Sequence, residues 1–150
     1  MKPSPPGWPR ISSGVWYEDP GKAIDWLCKA FGFEVRLRIE GEDGSILHSE
    51  LLFGDGLIMV GGPKKDATPR DSFRKSPQAV GGANTQNMMI YVDDVDAHCN
   101  RARESGARIV QEPTTTDHGE EYWADRGYLA EDIGGHHWWF IQRLRNPAPK

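Results

Sequence analysis

The apolar positions of this chain form strand-like runs and a stretch with helical spacing, and this succession occurs twice in the same order. A short β-rich run begins near Val15, and apolar residues then recur at helical spacing, at Ala23, Trp26 and Leu27. Three further apolar stretches follow, separated by turns that contain glycine. The same succession begins again near Met89, so the pattern predicts the order β-α-β-β-β in each half.

Matching residues make the two halves an internal repeat. Aligned at an offset of 74 positions, they share an acid before each predicted helix, an alanine within it and a glycine after it: Asp19 and Asp93, Ala23 and Ala97, Gly32 and Gly106. An aspartate can cap the first turn of a helix, and a glycine can take the left-handed backbone at its end. The repeat therefore predicts two βαβββ modules, at about 10–62 and at 86–142, within one domain that spans 1–150.

The segment between the repeats, residues 63–85, is rich in prolines, glycines and basic residues. Its basic cluster consists of Lys64, Lys65, Arg70, Arg74 and Lys75. This composition predicts a long linker. Two roles are open for it, a lid over a binding site or plain surface, and its basic residues could bind an anionic ligand or face solvent.

Composition and charge exclude several classes of function. The chain has 150 residues, of which 37% are hydrophobic, and a formal net charge of −4, so we expect a modest core and no nucleic-acid partner. No apolar stretch approaches the roughly 18 residues of a membrane-spanning helix, so we expect no contact with membranes. The first residues lack the apolar core of a signal peptide. Cys28 and Cys99 lie 71 positions apart with no CxxC motif, which favours a cytoplasmic location.

Four stretches carry a resemblance to a known family. They are YEDPGKAIDWLCKAFGFEV, the turn FGDG, YVDDVDAH and RGYLAEDIGGHHWWF. In this order they resemble the vicinal oxygen chelate superfamily, which includes glyoxalases, extradiol dioxygenases, and fosfomycin- and bleomycin-resistance proteins. The last two stretches are most similar to the glyoxalase and bleomycin-resistance branch. The resemblance implies an α+β fold, in which two βαβββ modules form an open, cupped, eight-stranded mixed sheet with helices outside, and a homodimer.

Enzymes of this superfamily hold a divalent metal in the cup through His, Glu or Gln side chains on the first and last strand of each module. The corresponding positions here are Ser12 and Asn87 on the first strands, and Trp139 and the stretch 58–60 on the last strands. None is a good ligand for a hard metal, and Asn87 is at best a weak one. We therefore predict no metal site and no cofactor.

An atypical site is the alternative. His48 and Glu50 lie two positions apart on a predicted strand, so their side chains share one face. On the concave side they could bind a divalent metal, or act as a general base and its partner, in a glyoxalase-like lyase, isomerase or dioxygenase. The competing interpretation is a hydrogen-bonded pair in the wall of the sheet. His98, on the second helix, is expected to be exposed.

The tryptophans favour a binding function over catalysis. Trp16 lies on the first predicted strand and Trp123 precedes a later one, and alternation along the last strand places one of Trp138 and Trp139 in the cup. An indole-lined cup without a metal suits a planar, amphipathic or cationic ligand, held by stacking with a few polar anchors. The predicted ligand-binding residues are Trp16, His48, Glu50, Asn87, Trp123, Arg126, Tyr128 and Trp139. We predict a metal-independent small-molecule-binding protein, with drug resistance as one role, unless the tryptophans simply fill the cup.

Overall fold

The computed structural model describes residues 1–150 and contains two modules of the same element order. The first module consists of β1 (Ser13–Trp16), α1 (Pro20–Phe31), β2 (Glu34–Glu40), β3 (Ile46–Phe53) and β4 (Gly56–Gly61). The second consists of β5 (Met88–Tyr91), α2 (Val95–Glu104), β6 (Arg108–Asp117), β7 (Ala124–Glu131) and β8 (His137–Arg145). The predicted α+β fold with two βαβββ modules is confirmed.

Each module forms a four-stranded mixed sheet, with strand orders β1-β4-β3-β2 and β5-β8-β7-β6. The first and last strands of a module pair in parallel, and the other neighbours are antiparallel. The helix carries the chain from the first strand to the far edge of the sheet, and the following strands return step by step. As a result β1 and β5 are edge strands, and the eight strands of one chain form two sheets.

The repeat positions cap the helices much as the sequence predicts. The Asp19 carboxylate accepts a hydrogen bond at 3.2 Å from the backbone of the first turn of α1, and Gly32 ends this helix with a φ of 90°. In the second module Asp94, one position beyond the aspartate that the alignment matches, caps α2. That helix ends at Glu104 with Ser105 as its C-cap, and Gly106 follows with a φ of 96°. The capping aspartate of the second copy therefore lies one position later than the alignment predicts.

One core joins both modules. Helix α1 packs on the first sheet, α2 packs on the second, and the two helices contact each other. Phe31 at the end of α1 reaches the second sheet, with ring centroids 5.6 Å from Trp138 and 4.7 Å from Phe140. The helix-bearing faces of both sheets therefore share this core. Each sheet keeps a second face that no helix covers, which we call its helix-free face.

The linker is anchored at both ends. It forms two 3₁₀ turns, Pro69–Phe73 and Pro77–Val80. Between them Ser76 is fully buried, and its hydroxyl donates a hydrogen bond of 2.6 Å to Glu18 of the first module. Asn84 donates at 2.9 Å to a backbone carbonyl of the second module. Neither of the two helices of the chain has the length and apolar character needed to cross a membrane.

Candidate functional site

The helix-free face of the first sheet brings together three of the predicted site residues. Strand register places Trp16 beside Gly61, and His48 and Glu50 opposite residues of β2. A cavity of about 720 Å³ lies between this face and the linker. Its apolar wall comes from the face and from the linker: Trp16, Leu47, Met59, Phe73 and Val80.

His48 and Glu50 belong to a hydrogen-bonded network with Arg36. Glu50 is 6% exposed. Its Oε1 accepts from Arg36 at 3.1 and 2.8 Å, and its Oε2 lies 3.1 Å from Nε2 of His48. The hydrogen bonds from Arg36 hold the pKa of Glu50 below its usual range, against the opposing effect of burial. A carboxylate that is ionised and bonded at both oxygens is a weak base, and a metal that bound it through both oxygens would have to displace Arg36.

The donor set does not fit the divalent metal of the superfamily. No group of three or more His, Cys, Asp or Glu side chains lies close enough together to hold a metal ion. At the positions of the superfamily ligands the chain has Ser12, Met59, Asn87 and Trp139. Three of these side chains are poor partners for a hard cation, and an amide alone binds weakly.

The helix-free face of the second sheet carries a separate aromatic group. Trp139 lies on it, in register with Met89 and Leu129. At the edge of this face the guanidinium of Arg143 lies 5.5 Å from the ring centroid of Tyr91 and 5.6 Å from that of Trp123. Asn87 is exposed just before β5. In a single chain, therefore, six of the eight predicted site residues divide between the two helix-free faces.

Two predicted anchors lie on neither helix-free face. Arg126 forms two hydrogen bonds of 2.9 Å with Asp96 of α2. Tyr128 is fully buried, with its hydroxyl 2.7 Å from Nδ1 of His98, also on α2. Because alternate residues of a strand face opposite sides, both point toward the helix, while Gly127 and Leu129 face the other way. Burial raises the pKa of Tyr128, so its hydroxyl stays protonated.

His98 is not the exposed side chain that the sequence suggested, and that prediction is wrong. Its Nε2 lies 2.7 Å from the backbone oxygen of Phe31, and its Nδ1 lies 2.7 Å from the Tyr128 hydroxyl. The carbonyl can only accept, so a neutral His98 donates from Nε2 and accepts at Nδ1 from Tyr128. Burial lowers the pKa of His98, with a smaller contribution from Arg101. It also borders a second cavity, of about 830 Å³.

A buried carboxylate that the sequence analysis missed joins the modules. Asp132 is 6% exposed and accepts from the Tyr17 hydroxyl at 2.5 Å and from Nε1 of Trp138 at 2.8 Å. Its other oxygen accepts from the backbone of Gly134 and His136. Burial and the neighbouring carboxylate raise the pKa of Tyr17. Every polar atom of this cluster is paired inside the core, so its role is structural.

Comparisons with known proteins agree with this fold and its repeat. Residues 11–140 match the model of the Glyoxalase/Bleomycin resistance protein/Dioxygenase superfamily. Uncharacterised proteins of Mycobacterium bovis and Mycobacterium tuberculosis are 32% identical over 139 residues, which is 91% of this chain and 85% and 76% of theirs. TioX from Micromonospora sp. ML1 shares 32% identity with a TM-score of 0.66, over 89% of this chain and 98% of its own.

TnmS3 from Streptomyces sp. CB03234, an antibiotic-binding protein, has the same fold. It is 21% identical with a TM-score of 0.59, over 88% of this chain and 93% of its own. The family model spans most of the chain, and the mycobacterial relatives exceed 30% identity over nine-tenths of it. The chain therefore belongs to the glyoxalase/bleomycin resistance protein/dioxygenase superfamily.

Proposed function

We propose that this chain is a small-molecule-binding protein that holds an aromatic or amphipathic ligand without converting it. The observation that carries the proposal is the cavity of about 720 Å³ with the indole of Trp16 in its wall. This volume is within the range of about 300–1,000 Å³ that small-molecule sites occupy. A partly exposed indole in a concave wall offers a stacking surface to a planar ligand.

The chemistry around the cavity supports binding over catalysis. Glu50, the carboxylate bonded to His48, accepts hydrogen bonds from Arg36 at its other oxygen. The residues at the superfamily's ligand positions do not suit a metal. TnmS3 shows that a protein of this fold can bind an antibiotic. A resistance role through sequestration is consistent with this chemistry and is part of the proposal.

We further propose that the protein works as a homodimer in the cytoplasm. Each helix-free face exposes large apolar side chains, with Leu37 40% and Ile39 43% exposed on the first sheet, and Met89 57% and Tyr91 51% exposed on the second. Pairing the first sheet of one copy with the second sheet of another would cover these side chains. It would also bring Trp16, His48 and Glu50 of one copy near Asn87, Trp123 and Trp139 of the other. Both cysteines are free thiols, as a reducing compartment favours.

Equilibrium dialysis against a panel of planar aromatic compounds tests the proposed function. Each compound is analysed by mass spectrometry before and after incubation, with and without added zinc, nickel, manganese or iron. We expect one class to bind and to be recovered unchanged. Trp16→Ala should weaken binding by about fivefold to tenfold, because it removes the stacking surface.

The matched control is Trp26→Phe, since Trp26 lies on α1 with its indole bonded to the carbonyl of Ser105, away from both helix-free faces. It should bind like the native protein. Metal-dependent conversion of a compound that disappears in His48→Ala would overturn the proposal in favour of an enzyme with an atypical site. Retention of no compound at all would also contradict it.

A further inference from the structure

The cavity beside Trp16 is strongly cationic although the whole chain is acidic. Among its lining residues are four Lys or Arg side chains, Lys64, Arg70, Arg74 and Lys75, and not one Asp or Glu. The formal net charge of the chain is −4. All four cations come from the linker, so the segment that joins the modules places positive charge over the helix-free face of the first sheet. The guanidinium of Arg74 lies 5.5 Å from the ring centroid of Trp16.

We propose that this cavity selects aromatic anions, that is, planar ring systems that bear a carboxylate or another oxyanion. The ring would stack beside Trp16, and the oxyanion would face the linker cations. The proposal rests on the proposed function, because it specifies the ligand class of the same cavity. It is opposite in sign to the cationic ligand that the overall acidity of the chain suggests.

The linker cations differ from most arginines of the molecule, which already have carboxylate partners. Seven arginines outside the linker form ion pairs within 4.0 Å: Arg36, Arg38, Arg103, Arg108, Arg126, Arg143 and Arg145. Lys64, Arg70 and Lys75 have no such partner, and Lys64 donates only to the backbone oxygen of Leu47, at 3.0 Å. Unpaired cations gathered around one concavity leave their charge available to a ligand.

The acidic groups nearby do not cancel this charge. Asp71 lies 3.4 Å from Arg74 and offsets one of the four positive charges, while its other oxygen accepts hydrogen bonds from the backbone and hydroxyl of Thr68. Glu50, below the cavity, is bonded to Arg36. Lys65, which does not line the cavity, pairs with Asp43 at 3.5 Å. The cations that line the cavity therefore outnumber the acids that reach them.

The geometry favours an oxyanion that is attached to a ring over a free small anion. Three of the four cations, Arg70, Arg74 and Lys75, are exposed, and salt would screen a small anion held by the cations alone. Apolar side chains of Trp16, Met59 and Phe73 share the same wall. Burying a ring against them adds an attraction that is insensitive to salt. An aromatic acid would contact both the linker cations and the apolar side chains of the cavity wall.

Three probes of nearly equal shape test the proposal: 1-naphthoate, neutral 1-naphthamide and cationic 1-naphthylmethylammonium. Their dissociation constants are measured by calorimetry at neutral pH, in low and in high salt. We expect 1-naphthoate to bind about tenfold more tightly than the amide in low salt, and the ammonium to bind most weakly. The preference should shrink in high salt.

Substitutions in the linker test whether its cations bind the carboxylate of 1-naphthoate. Arg70→Gln together with Lys75→Gln should weaken 1-naphthoate about threefold to tenfold and leave the amide unchanged. Neither side chain has a hydrogen-bond partner within the protein that the change would remove. Lys22→Gln together with Lys29→Gln is the matched control, since it removes two positive charges at exposed positions of α1, and it should have no effect.

Each outcome decides between the two proposals. Equal or tighter binding of the amide or the ammonium overturns the selection of anions and leaves the proposed function intact. Loss of 1-naphthoate binding that is equal in the double variant of Lys22 and Lys29 and in the linker variant also overturns it, because only the net charge would then matter. If none of the three probes binds, the anion proposal is wrong, and the panel of aromatic compounds decides separately whether the protein binds small molecules.

Discussion

His98 couples the two modules through one neutral imidazole. It contacts the last residue of α1 through Nε2 and β7 through Nδ1. A signal for its burial exists in the sequence, because Val95, Cys99 and Ala102 define the buried side of α2 and His98 adjoins that side. The pattern alone could not show that the carbonyl of Phe31 and the hydroxyl of Tyr128 bond to His98, since both groups belong to elements distant in sequence.

The burial of His98 makes stability dependent on pH. Burial lowers the pKa of His98 in the folded state below its usual value of about 6.5 in unfolded chains. Between these two pKa values the unfolded chain binds more protons than the folded one. The contribution of His98 is therefore full above about pH 6.5 and is lost as the pH falls toward the pKa of the folded state.

Urea unfolding as a function of pH checks this prediction. We expect the free energy of unfolding to rise with pH through this window, and His98→Gln to flatten the rise. Asn100→Gln, a change at an exposed and uncharged position of the same helix, should leave the slope as it is. An unchanged slope in His98→Gln would show that other groups cause the pH dependence.

The sequence predicts that alternate residues of a strand face opposite sides, but it does not always show which set of residues faces the helix. For adjacent tryptophans the rule sufficed, since Trp138 is buried against the helices and Trp139 faces the other way. For β7 the sequence did not reveal which set of residues faces the helix, and Arg126 and Tyr128 were expected in the cup. Their true partners, Asp96 and His98, lie 30 residues away along the chain.

The element order was accessible from sequence because each element carries its own local signal. Aspartate caps, glycine turns and apolar spacing recur in both modules, so the βαβββ order follows from the repeat. The position of the linker depends instead on the tertiary structure. Its anchors, Ser76 with Glu18 and Asn84 with Gly135, join segments more than fifty residues apart. Sequence alone therefore does not show whether the cations of the linker face a ligand.

The turn before β8 is predicted to be the most sensitive junction between the modules. A Cβ atom on Gly134 would lie 2.4 Å from the ring of Tyr17, which itself is held by Asp132. Gly134→Ala should destabilise the fold by about 1–3 kcal/mol, because a buried ring must move. Gly14→Ala is the control, since nothing lies within 4 Å of a Cβ there.

Chemical denaturation of both variants gives the comparison. Gly14→Ala should change the free energy of unfolding by less than about 1 kcal/mol, with stabilisation as the expected direction. Equal effects of the two substitutions would contradict the tight packing of the turn against Tyr17.

A single chain leaves the helix-free face of the second sheet uncovered, and its linker lies over only part of the helix-free face of the first. We predict that the protein is a dimer in sedimentation experiments. Met89→Glu, at a 57% exposed position on the second face, should shift it toward the monomer because the charge would be buried on association. Asn100→Glu adds the same charge on the exposed surface of α2 and should leave the dimer intact. A monomer at all concentrations would contradict the proposed assembly.

A crystal structure of the protein with 1-naphthoate would show directly whether a ligand lies in the cavity beside Trp16. We expect the naphthalene ring against Trp16 in the cavity of about 720 Å³, with the carboxylate toward Arg74 and its neighbours in the linker. A ligand found instead in the cavity beside His98, or a carboxylate turned away from the linker, would contradict it.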